Sequence, residues 1–367
     1  MTNEEKFNLI TRNLEEVLTP EELKHLIESN TPLNHYIGFE ISGKVHLGTG
    51  FASMLKIRDL QKAGVETTVL LADWHTWLNK KLDGTLETAK KMAKDYFEEG
   101  LKAAAICVGA DPNKIEFVLG SELYDKLGNK YWATVIKVSK ATTVARMLRS
   151  TTIMGRKEGE ISDAAMLIYP AMQSADIFTM SINLAQAGTD QRNVHVVARD
   201  TAKEVGYPKP IAIHHHLLQG LLKPSIWPIP EGDRDQVAEA MKMSKSKPDS
   251  AVFIHDSPEE IRRKVNNAFA PEGEVAYNPI LDWTKYLIFY DPDSKLEIKR
   301  PEKFGGDITY TSYKELEKDY LEKKLHPMDL KMAVAEWLIQ KLEPARKYFE
   351  DPKRKTALEE IEKLAAR

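Results

Sequence analysis

Residues 42–51, SGKVHLGTGF, combine small residues and a histidine in a spacing that suits phosphate chemistry. The stretch lies between a strand-like and a helix-like pattern. Small residues at such a junction let backbone N–H groups approach phosphate oxygens, and the dipole of the following helix favours an anion. His46 can donate a hydrogen bond to a phosphate whose charge grows as a bond breaks. By itself the stretch fits a nucleotide-binding loop and an ordinary glycine-rich turn equally well.

A second stretch with phosphate chemistry is KMSKSKPD, residues 242–249, which has three lysines within six residues. Like charges at this density repel one another, which predicts a loop that is mobile until it meets a polyanion. Lysine ammonium groups on such a loop suit the leaving pyrophosphate of ATP. The competing interpretation is a solvated charged loop, which is common for a run of lysines.

A third stretch, YPAMQSADIF at residues 169–178, predicts a ligand pocket on one face of a helix. Tyr169, Gln173 and Asp176 share that face because they recur at helical spacing. The residues around them are apolar, so we expect three polar groups that converge on a buried ligand rather than a wet surface. His75 follows a buried strand at its carboxyl end, where doubly wound sheets bind ligands. It fits the same pocket and a structural hydrogen bond equally well.

The elements that must position these residues follow an alternating strand and helix pattern. This order predicts an α/β fold with a Rossmann-like, doubly wound parallel sheet, followed by a mainly α-helical region. The run VETTVLLADW, for example, is typical of a strand that is buried on both faces. The sequence predicts three divisions: N-terminal helices at 1–30, a Rossmann-like catalytic domain at 31–256 and an α-helical domain at 257–367. Within the catalytic domain we predict a helical insertion at 121–168, and a second insertion together with the lysine loop at 226–256.

Composition limits the classes of function. The net charge is −3, so a nucleic acid would have to meet a local basic face. A single cysteine, Cys107, excludes an internal disulfide and a cysteine-cluster zinc site. The run HHH at 214–216 lacks metal-ligand spacing, so we predict no protein-bound metal and expect Mg²⁺ to arrive with ATP. No run of about 18 apolar residues and no secretory layout occurs, which predicts a cytoplasmic protein without membrane contact.

The motif HLG, followed about two hundred residues later by KMSKS, resembles the paired motifs of class I aminoacyl-tRNA synthetases. Residues Lys242–Ser246 match the second motif letter for letter. Over nearly the whole chain, further stretches resemble the archaeal and eukaryotic tyrosyl-tRNA synthetases. These stretches are YIGFEISGKVHLG, LLADWH, YPAMQSADI, DQRNVH, KRPEKFGGD and LHPMDLK.

The resemblance implies a tyrosine–tRNA ligase that uses ATP, L-tyrosine and tRNA(Tyr) and forms a homodimer through residues 121–168. It implies catalytic roles for His46, Lys242 and Lys245. The ATP-binding residues that it implies are Gly43, His46, Gly48, Thr49, Gly50, Lys242, Met243, Ser244, Lys245 and Ser246. The tyrosine-binding residues are Tyr36, Gly38, Glu40, His75, Tyr169, Gln173, Asp176 and Gln191. The tRNA-binding residues are Arg146, Arg149, Arg192, Phe304 and Asp329.

Within this set the resemblance assigns the phenolic hydroxyl of the substrate to Tyr36 and Asp176. Phenylalanine would leave a buried acceptor such as Asp176 unpaired, which costs more than a missing methylene. For tRNA, the arginines match positions near the acceptor end, while Phe304 and Asp329 match positions that read the anticodon. The competing interpretations are a surface charge for Arg146, a core residue for Phe304 and a helix cap for Asp329.

Two points stay open from the sequence. The motif of the family has a second histidine where this chain has Thr49; we expect the Thr49 hydroxyl to bond ribose or phosphate, so that ATP chemistry depends on His46 and the lysines. The alternative functions are a tryptophanyl-tRNA synthetase, a non-catalytic RNA-binding relative and a free-standing nucleotidyltransferase. Asp176 with Tyr36 favours a phenol over an indole, and an intact KMSKS stretch favours an enzyme.

Overall fold

A six-stranded sheet with five parallel strands forms the centre of the molecule. The structure, a computed structural model, describes residues 1–156, 158–224, 227–228, 241, 243 and 247–365. Across the sheet the strands have the order β1-β6-β5-β2-β3-β4, and β1 pairs with β6 in the antiparallel direction. In chain order they are β1 (Leu14–Leu18), β2 (Asn34–Phe39), β3 (Glu66–Leu71), β4 (Ile115–Leu119), β5 (Leu184–Gly188) and β6 (Ile211–His215).

The strand order confirms the predicted doubly wound fold. The chain moves outward from β2 to β3 and β4, then returns to the other side of β2 for β5 and β6. Strand order therefore reverses between β2 and β5, and such a switch point opens a crevice at the carboxyl ends of the strands.

Helices cover both faces of the sheet and form most of the C-terminal region. Two helices end at glycines with positive φ, Gly109 and Gly206, which is the expected stop signal. The helices before the end of the sheet are α1 (Asn3–Thr11), α2 (Pro20–Glu28), α3 (Ser53–Lys62), α4 (Asp73–Leu78), α5 (Leu86–Met92), α6 (Glu98–Val108), α7 (Gly120–Leu127), α8 (Asn129–Lys140), α9 (Val144–Ser150), α10 (Tyr169–Thr179) and α11 (Arg192–Val205). The C-terminal helices are α12 (Pro258–Asn266), α13 (Pro279–Tyr286), α14 (Tyr313–Leu321), α15 (Pro327–Lys341), α16 (Glu343–Tyr348) and α17 (Pro352–Ala365).

Two short β elements differ from the predicted helical regions. Residues 1–30 contain β1 between two helices, so the prediction of N-terminal helices alone is incomplete. The C-terminal region contains an antiparallel hairpin of β7 (Leu296–Ile298) and β8 (Ile308–Tyr310). In both places the chain reaches a partner strand, and pairing overrides a helix-like or irregular pattern.

One hydrophobic core joins the sheet to the C-terminal region. Ile37 and Val69 of the sheet belong to the same buried cluster as Trp283 of α13 and Leu330 of α15. This continuity fixes the C-terminal helices against the edge where the crevice opens. Among the described helices, none has the length and apolar character needed to cross a membrane.

Candidate active site

A cleft of about 570 Å³ opens at the carboxyl ends of the parallel strands. All eight residues predicted to bind tyrosine line it, and so do four predicted to bind ATP, so the two sets share one cavity. The first set is Tyr36, Gly38, Glu40, His75, Tyr169, Gln173, Asp176 and Gln191. The second is His46, Gly48, Thr49 and Met243.

Asp176 of α10 lies at the closed end of the cleft and is fully buried. One carboxylate oxygen, Oδ1, accepts a hydrogen bond from the hydroxyl of Tyr131 at 2.9 Å. The other, Oδ2, has no hydrogen-bond partner among the described residues. Burial raises the pKa of Asp176 to about 8, although the hydroxyls of Tyr131 and Tyr124 lower it. An unpaired buried acceptor in a cavity is costly unless a ligand satisfies it.

His75 of α4 lies beside this carboxylate, with Nε2 3.6 Å from Oδ2 of Asp176. Both of its ring nitrogens lack a hydrogen-bond partner within the part of the chain that the structure describes. Burial lowers the pKa of His75 to about 3, so the ring is neutral. The imidazole ring packs edge-on against the ring of Tyr169, with ring centroids 4.5 Å apart, and this packing fixes the orientation of the imidazole. A neutral imidazole has one donor and one acceptor to offer a ligand.

Tyr36 of β2 contributes a second hydroxyl to the closed end of the cleft. Its side chain is buried, and burial together with the charge of Asp176 raises the pKa of its phenol. Gly38 follows on the same face of the strand, and a Cβ atom there would lie 2.4 Å from the Tyr36 hydroxyl. The absence of a side chain at Gly38 therefore sets the position of that hydroxyl.

Glu40 supplies a carboxylate near the middle of the cleft. Its Oε1 accepts hydrogen bonds from Asn79 Nδ2 at 2.7 Å and from the Tyr169 hydroxyl at 3.3 Å. Asn79 also donates to the backbone carbonyl of Met154 at 3.0 Å. Asn79 was not singled out from the sequence, because its role depends on contacts with residues far along the chain.

Two glutamines, Gln173 and Gln191, also line the cleft. Gln173 Nε2 donates to Gln191 Oε1 at 3.3 Å, and Gln191 Nε2 donates to the carbonyl of Ile153 at 2.9 Å. Each amide still has hydrogen-bonding capacity for a polar ligand. An α-amino acid with its ammonium group near Glu40 and Gln173 fits this arrangement.

His46 lines the part of the cleft that is predicted to bind ATP, called here the nucleotide end. Its Nδ1 accepts hydrogen bonds from the backbone N–H groups of Gly48 at 3.1 Å and Thr49 at 3.3 Å. The ring proton of neutral His46 therefore lies on Nε2, which is 3.0 Å from the Thr49 hydroxyl. A Cβ atom at Gly48 would lie 3.1 Å from the His46 ring, so glycine allows this close turn. Thr49 thus contacts His46 directly, which the sequence did not predict.

The loop of His46 pairs with the segment that follows the lysine-rich stretch. Leu47 N–H donates to the carbonyl of Val252 at 3.0 Å, and Ile254 N–H donates to the carbonyl of Val45 at 3.1 Å. His46 and Phe253 form the bridge between them. Met243 lines the cleft on the same side. The two predicted ATP motifs are therefore neighbours in space.

Two predicted ATP-binding glycines do not line the cleft. A Cβ atom at Gly50 would lie 2.6 Å from Val45 and 3.1 Å from Ala104, so this glycine faces the core and allows α6 to approach. Gly43 has a φ of +129°, which only glycine adopts readily, and it forms the turn before His46. The remaining ATP-site predictions, Lys242, Ser244, Lys245 and Ser246, lie outside the described residues.

His216 was not among the predicted site residues, although it lines the open side of the cleft. It joins three regions, with Nε2 2.6 Å from Asp282 of α13 and Nδ1 3.1 Å from Glu15 of β1. Burial lowers the pKa of His216, but the two carboxylates outweigh this effect and raise it to about 9. The charged imidazole therefore ties the C-terminal region to the rim of the cleft.

The predicted arginines lie on α9 and at the start of α11. Arg146 forms an ion pair with Asp200 at 2.6 Å, and Arg192 forms one with Glu16 at 2.9 Å. Arg149 is exposed. The three arginines line no part of the cleft itself.

Phe304 and Asp329 lie in the C-terminal region, away from the cleft lining. Phe304 is 60% exposed at the hairpin loop between β7 and β8, so the interpretation as a core residue is wrong. Asp329 lies in the first turn of α15, where the N-cap is His326, so Asp329 is not the cap. Both side chains are placed where a partner can reach them.

The described residues contain no group of three or more histidine, cysteine, aspartate or glutamate side chains that could hold a metal ion. In the cleft, Glu40 Oε1 accepts from Asn79 and Tyr169, and Asp176 Oδ1 accepts from Tyr131. The prediction that Mg²⁺ arrives with the phosphates of ATP stays a prediction.

Comparisons with known proteins show the family of this chain. The family model described as tRNA synthetases class I (W and Y) matches residues 28–343. A tyrosine–tRNA ligase of Thermococcus kodakarensis is 55% identical over 361 residues, which cover 95% of this chain and 96% of that protein.

Among solved structures, the tyrosyl-tRNA synthetase of Pyrococcus horikoshii complexed with L-tyrosine has a TM-score of 0.94 and 52% identity, covering 99% of this chain and 100% of that one. A tryptophanyl-tRNA synthetase of Aeropyrum pernix has a TM-score of 0.65 and 20% identity, covering 94% of this chain and 83% of that one. The second similarity shows the fold alone.

Proposed function

The chain belongs to the class I tRNA synthetases (W and Y), and on this premise we propose that it is a tyrosine–tRNA ligase. The enzyme activates L-tyrosine with ATP and transfers the tyrosyl group to the 3′ end of tRNA(Tyr). The tyrosine ligases among its relatives, 55% identical at near full length, support tyrosine over tryptophan.

The observation that carries the choice of substrate is the closed end of the cleft. Both Asp176 and Tyr36 line the cleft at this end, and Oδ2 of Asp176 has no hydrogen-bond partner among the described residues. A phenolic hydroxyl can donate to Asp176 and accept from Tyr36, which satisfies both groups. Phenylalanine offers neither interaction and leaves a buried acceptor unpaired.

In the first step a carboxylate oxygen of tyrosine attacks the α-phosphorus of ATP. The bond from that phosphorus to the bridging oxygen breaks, and pyrophosphate leaves. Mg²⁺ that enters with ATP would neutralise charge on the phosphate oxygens. In this proposal His46 Nε2–H donates to a phosphate oxygen as charge develops. Lys242 and Lys245 neutralise the leaving pyrophosphate. No protein nucleophile is needed, because positioning and charge stabilisation lower the barrier.

In the second step the terminal ribose hydroxyl of the tRNA attacks the carbonyl carbon of tyrosyl-adenylate. The mixed anhydride breaks, AMP leaves, and the hydroxyl proton passes to solvent or phosphate. Arg146, Arg149 and Arg192 guide the acceptor end, since guanidinium groups suit phosphates and guanine edges. Phe304 stacks on an unpaired anticodon base, and Asp329 accepts from a guanine.

Two further features belong to this proposal. Residues 121–168 form the contact of a homodimer, for which exposed Ile136 and Val144 offer apolar surface. The enzyme acts in the cytoplasm. Sedimentation of the purified chain tests the dimer, and a monomer at micromolar concentration would contradict it.

The test of function is ATP–pyrophosphate exchange with each proteinogenic amino acid in turn. We expect exchange with tyrosine, and subsequent charging of tRNA(Tyr) by the same preparation. Exchange with tryptophan and not tyrosine would overturn the substrate. Folded protein that supports no exchange would favour a non-catalytic RNA-binding relative.

A further inference from the structure

Tyr131 lies behind the cleft, in α8 of the helical insertion. It is fully buried and does not line the cavity. Its hydroxyl donates to Oδ1 of Asp176 at 2.9 Å. Its ring stacks on Tyr124 with centroids 4.0 Å apart and meets Trp132 edge-on at 5.3 Å. The aromatic packing holds the hydroxyl in one place.

We propose that Tyr131 is a positioning residue that sets the selectivity for tyrosine, by holding one oxygen of Asp176 so that the other faces the phenolic hydroxyl of the substrate. The proposal rests on the proposed function. It adds a determinant that touches no substrate and acts only through Asp176.

Geometry supports this role because a carboxylate can rotate about its terminal torsion. With Oδ1 held by Tyr131, rotation of Asp176 would break a hydrogen bond in a buried site. Oδ2 is thereby kept at the cavity surface, where it has no partner among the described residues. Without the Tyr131 hydroxyl, Asp176 would lose the hydrogen bond of 2.9 Å at Oδ1, and of the two tyrosine hydroxyls that act on it only that of Tyr124 would remain.

Charge supports the same role. Burial favours the neutral form of Asp176, and the donor on Tyr131 favours the ionised form that accepts from a phenol. The nearby charge of Asp73 also favours the neutral form. The titratable groups that face Asp176 are Tyr36 of β2, Asp73 and His75 of α4, Tyr124 of α7, Tyr131 of α8 and Tyr169 of α10.

The test is Tyr131→Phe, which keeps the ring and removes the hydroxyl. We expect kcat/KM for tyrosine in pyrophosphate exchange to fall roughly tenfold, the usual worth of a hydrogen bond to a charged group. The value for phenylalanine should not fall, so discrimination narrows. The acidic limb of the tyrosine profile should move to higher pH, since Asp176 loses a donor that stabilises its anion.

Tyr320→Phe is the matched control. Tyr320 is equally buried, and its hydroxyl donates to the carbonyl of Pro271 at 2.9 Å, in the C-terminal region. We expect this variant to lose a buried hydroxyl without changing the ratio of tyrosine to phenylalanine exchange. A second measurement combines Tyr131→Phe with Asp176→Asn, where the loss of the Tyr131 hydroxyl should have little further effect on selectivity.

If the wild-type protein shows tyrosine-dependent exchange, the proposed function stands. Three outcomes in the variants would then contradict the role of Tyr131. They are an unchanged tyrosine value in Tyr131→Phe, a parallel fall for tyrosine and phenylalanine with an unmoved pH profile, and full additivity with Asp176→Asn. Wild-type protein without tyrosine-dependent exchange would instead overturn the function itself.

Discussion

The histidines at the two ends of the cleft differ in burial and in hydrogen bonding. At the tyrosine end, His75 is fully buried and neither ring nitrogen has a hydrogen-bond partner among the described residues. At the nucleotide end, His46 is half-buried, and both ring nitrogens lie within hydrogen-bond distance of its own loop. One end has polar groups left over for a ligand, and the other has its groups already paired.

This difference separates selectivity from chemistry. At the tyrosine end, the free energy cost of burying unpaired polar groups arises when the protein folds. A substrate that forms hydrogen bonds with these groups therefore binds well, and one that leaves them unpaired does not. In the proposed reaction, His46 exchanges its contact with Thr49 for a hydrogen bond to phosphate. Such an exchange gives little ground-state affinity and leaves the interaction for the transition state, where it accelerates the reaction.

The largest expected effect is on the nucleotide end. His46→Ala should lower kcat for tyrosyl-adenylate formation by about 100-fold or more, because a donor to developing phosphate charge is lost. The dissociation constant of tyrosine should stay unchanged. Single-turnover kinetics and equilibrium dialysis measure the two quantities. Weakened tyrosine binding would show that the two ends are not separate.

Asp176→Asn should lower kcat/KM for tyrosine by on the order of 100-fold, since a charge-assisted hydrogen bond is replaced at a buried site. The KM for ATP should not change, because Asp176 is proposed to contact the phenolic hydroxyl of tyrosine and not ATP. Exchange kinetics with each substrate varied provide the measurement. An equal rise in the KM for ATP would contradict the division.

Gly38→Ala should raise the KM for tyrosine roughly tenfold, because a Cβ atom 2.4 Å from the Tyr36 hydroxyl forces that side chain to move. Gly159→Ala is the matched control, as a Cβ atom at Gly159 meets nothing within 4 Å. Steady-state exchange of both variants decides the point. Equal KM values for the two variants would mean that the Tyr36 position is unimportant.

The smallest effect should come from Thr49→Val, which removes the hydroxyl next to His46 Nε2 and keeps the shape. We expect kcat for adenylate formation to fall only about threefold, because this bond is exchanged during the reaction. Thr49→Ser keeps the hydroxyl and should match the wild-type rate. A loss as large as that of His46→Ala would make Thr49 a direct phosphate ligand.

Much of the fold was predictable because local patterns and the final structure agree. The apolar run of β3 and the glycines that end α6 and α11 carry their own signals. Strand β1 was missed because its sequence, LEEVL, has no strand pattern of its own; it becomes a strand through pairing with β6. The hairpin of β7 and β8 has only three residues in each strand, too few for a recognisable period.

For the site, too, the sequence predicts local features but not contacts between distant segments. The spacing of Tyr169, Gln173 and Asp176 on one helix could be read directly, and the structure places all three in the cleft. Tyr131 could not be identified as part of the site, because its partner Asp176 lies 45 residues away along the chain. Only the packing of distant elements reveals such roles.

The bridge between His46 and Phe253 has a consequence for the order in which the enzyme forms during translation. All six strands of the sheet lie before residue 216, so a growing chain can build the whole sheet early. The phosphate loop cannot reach its final pairing until residues 252–254 have left the ribosome. A chain released before that point would have the scaffold and the tyrosine end of the cleft, but an unsupported ATP loop.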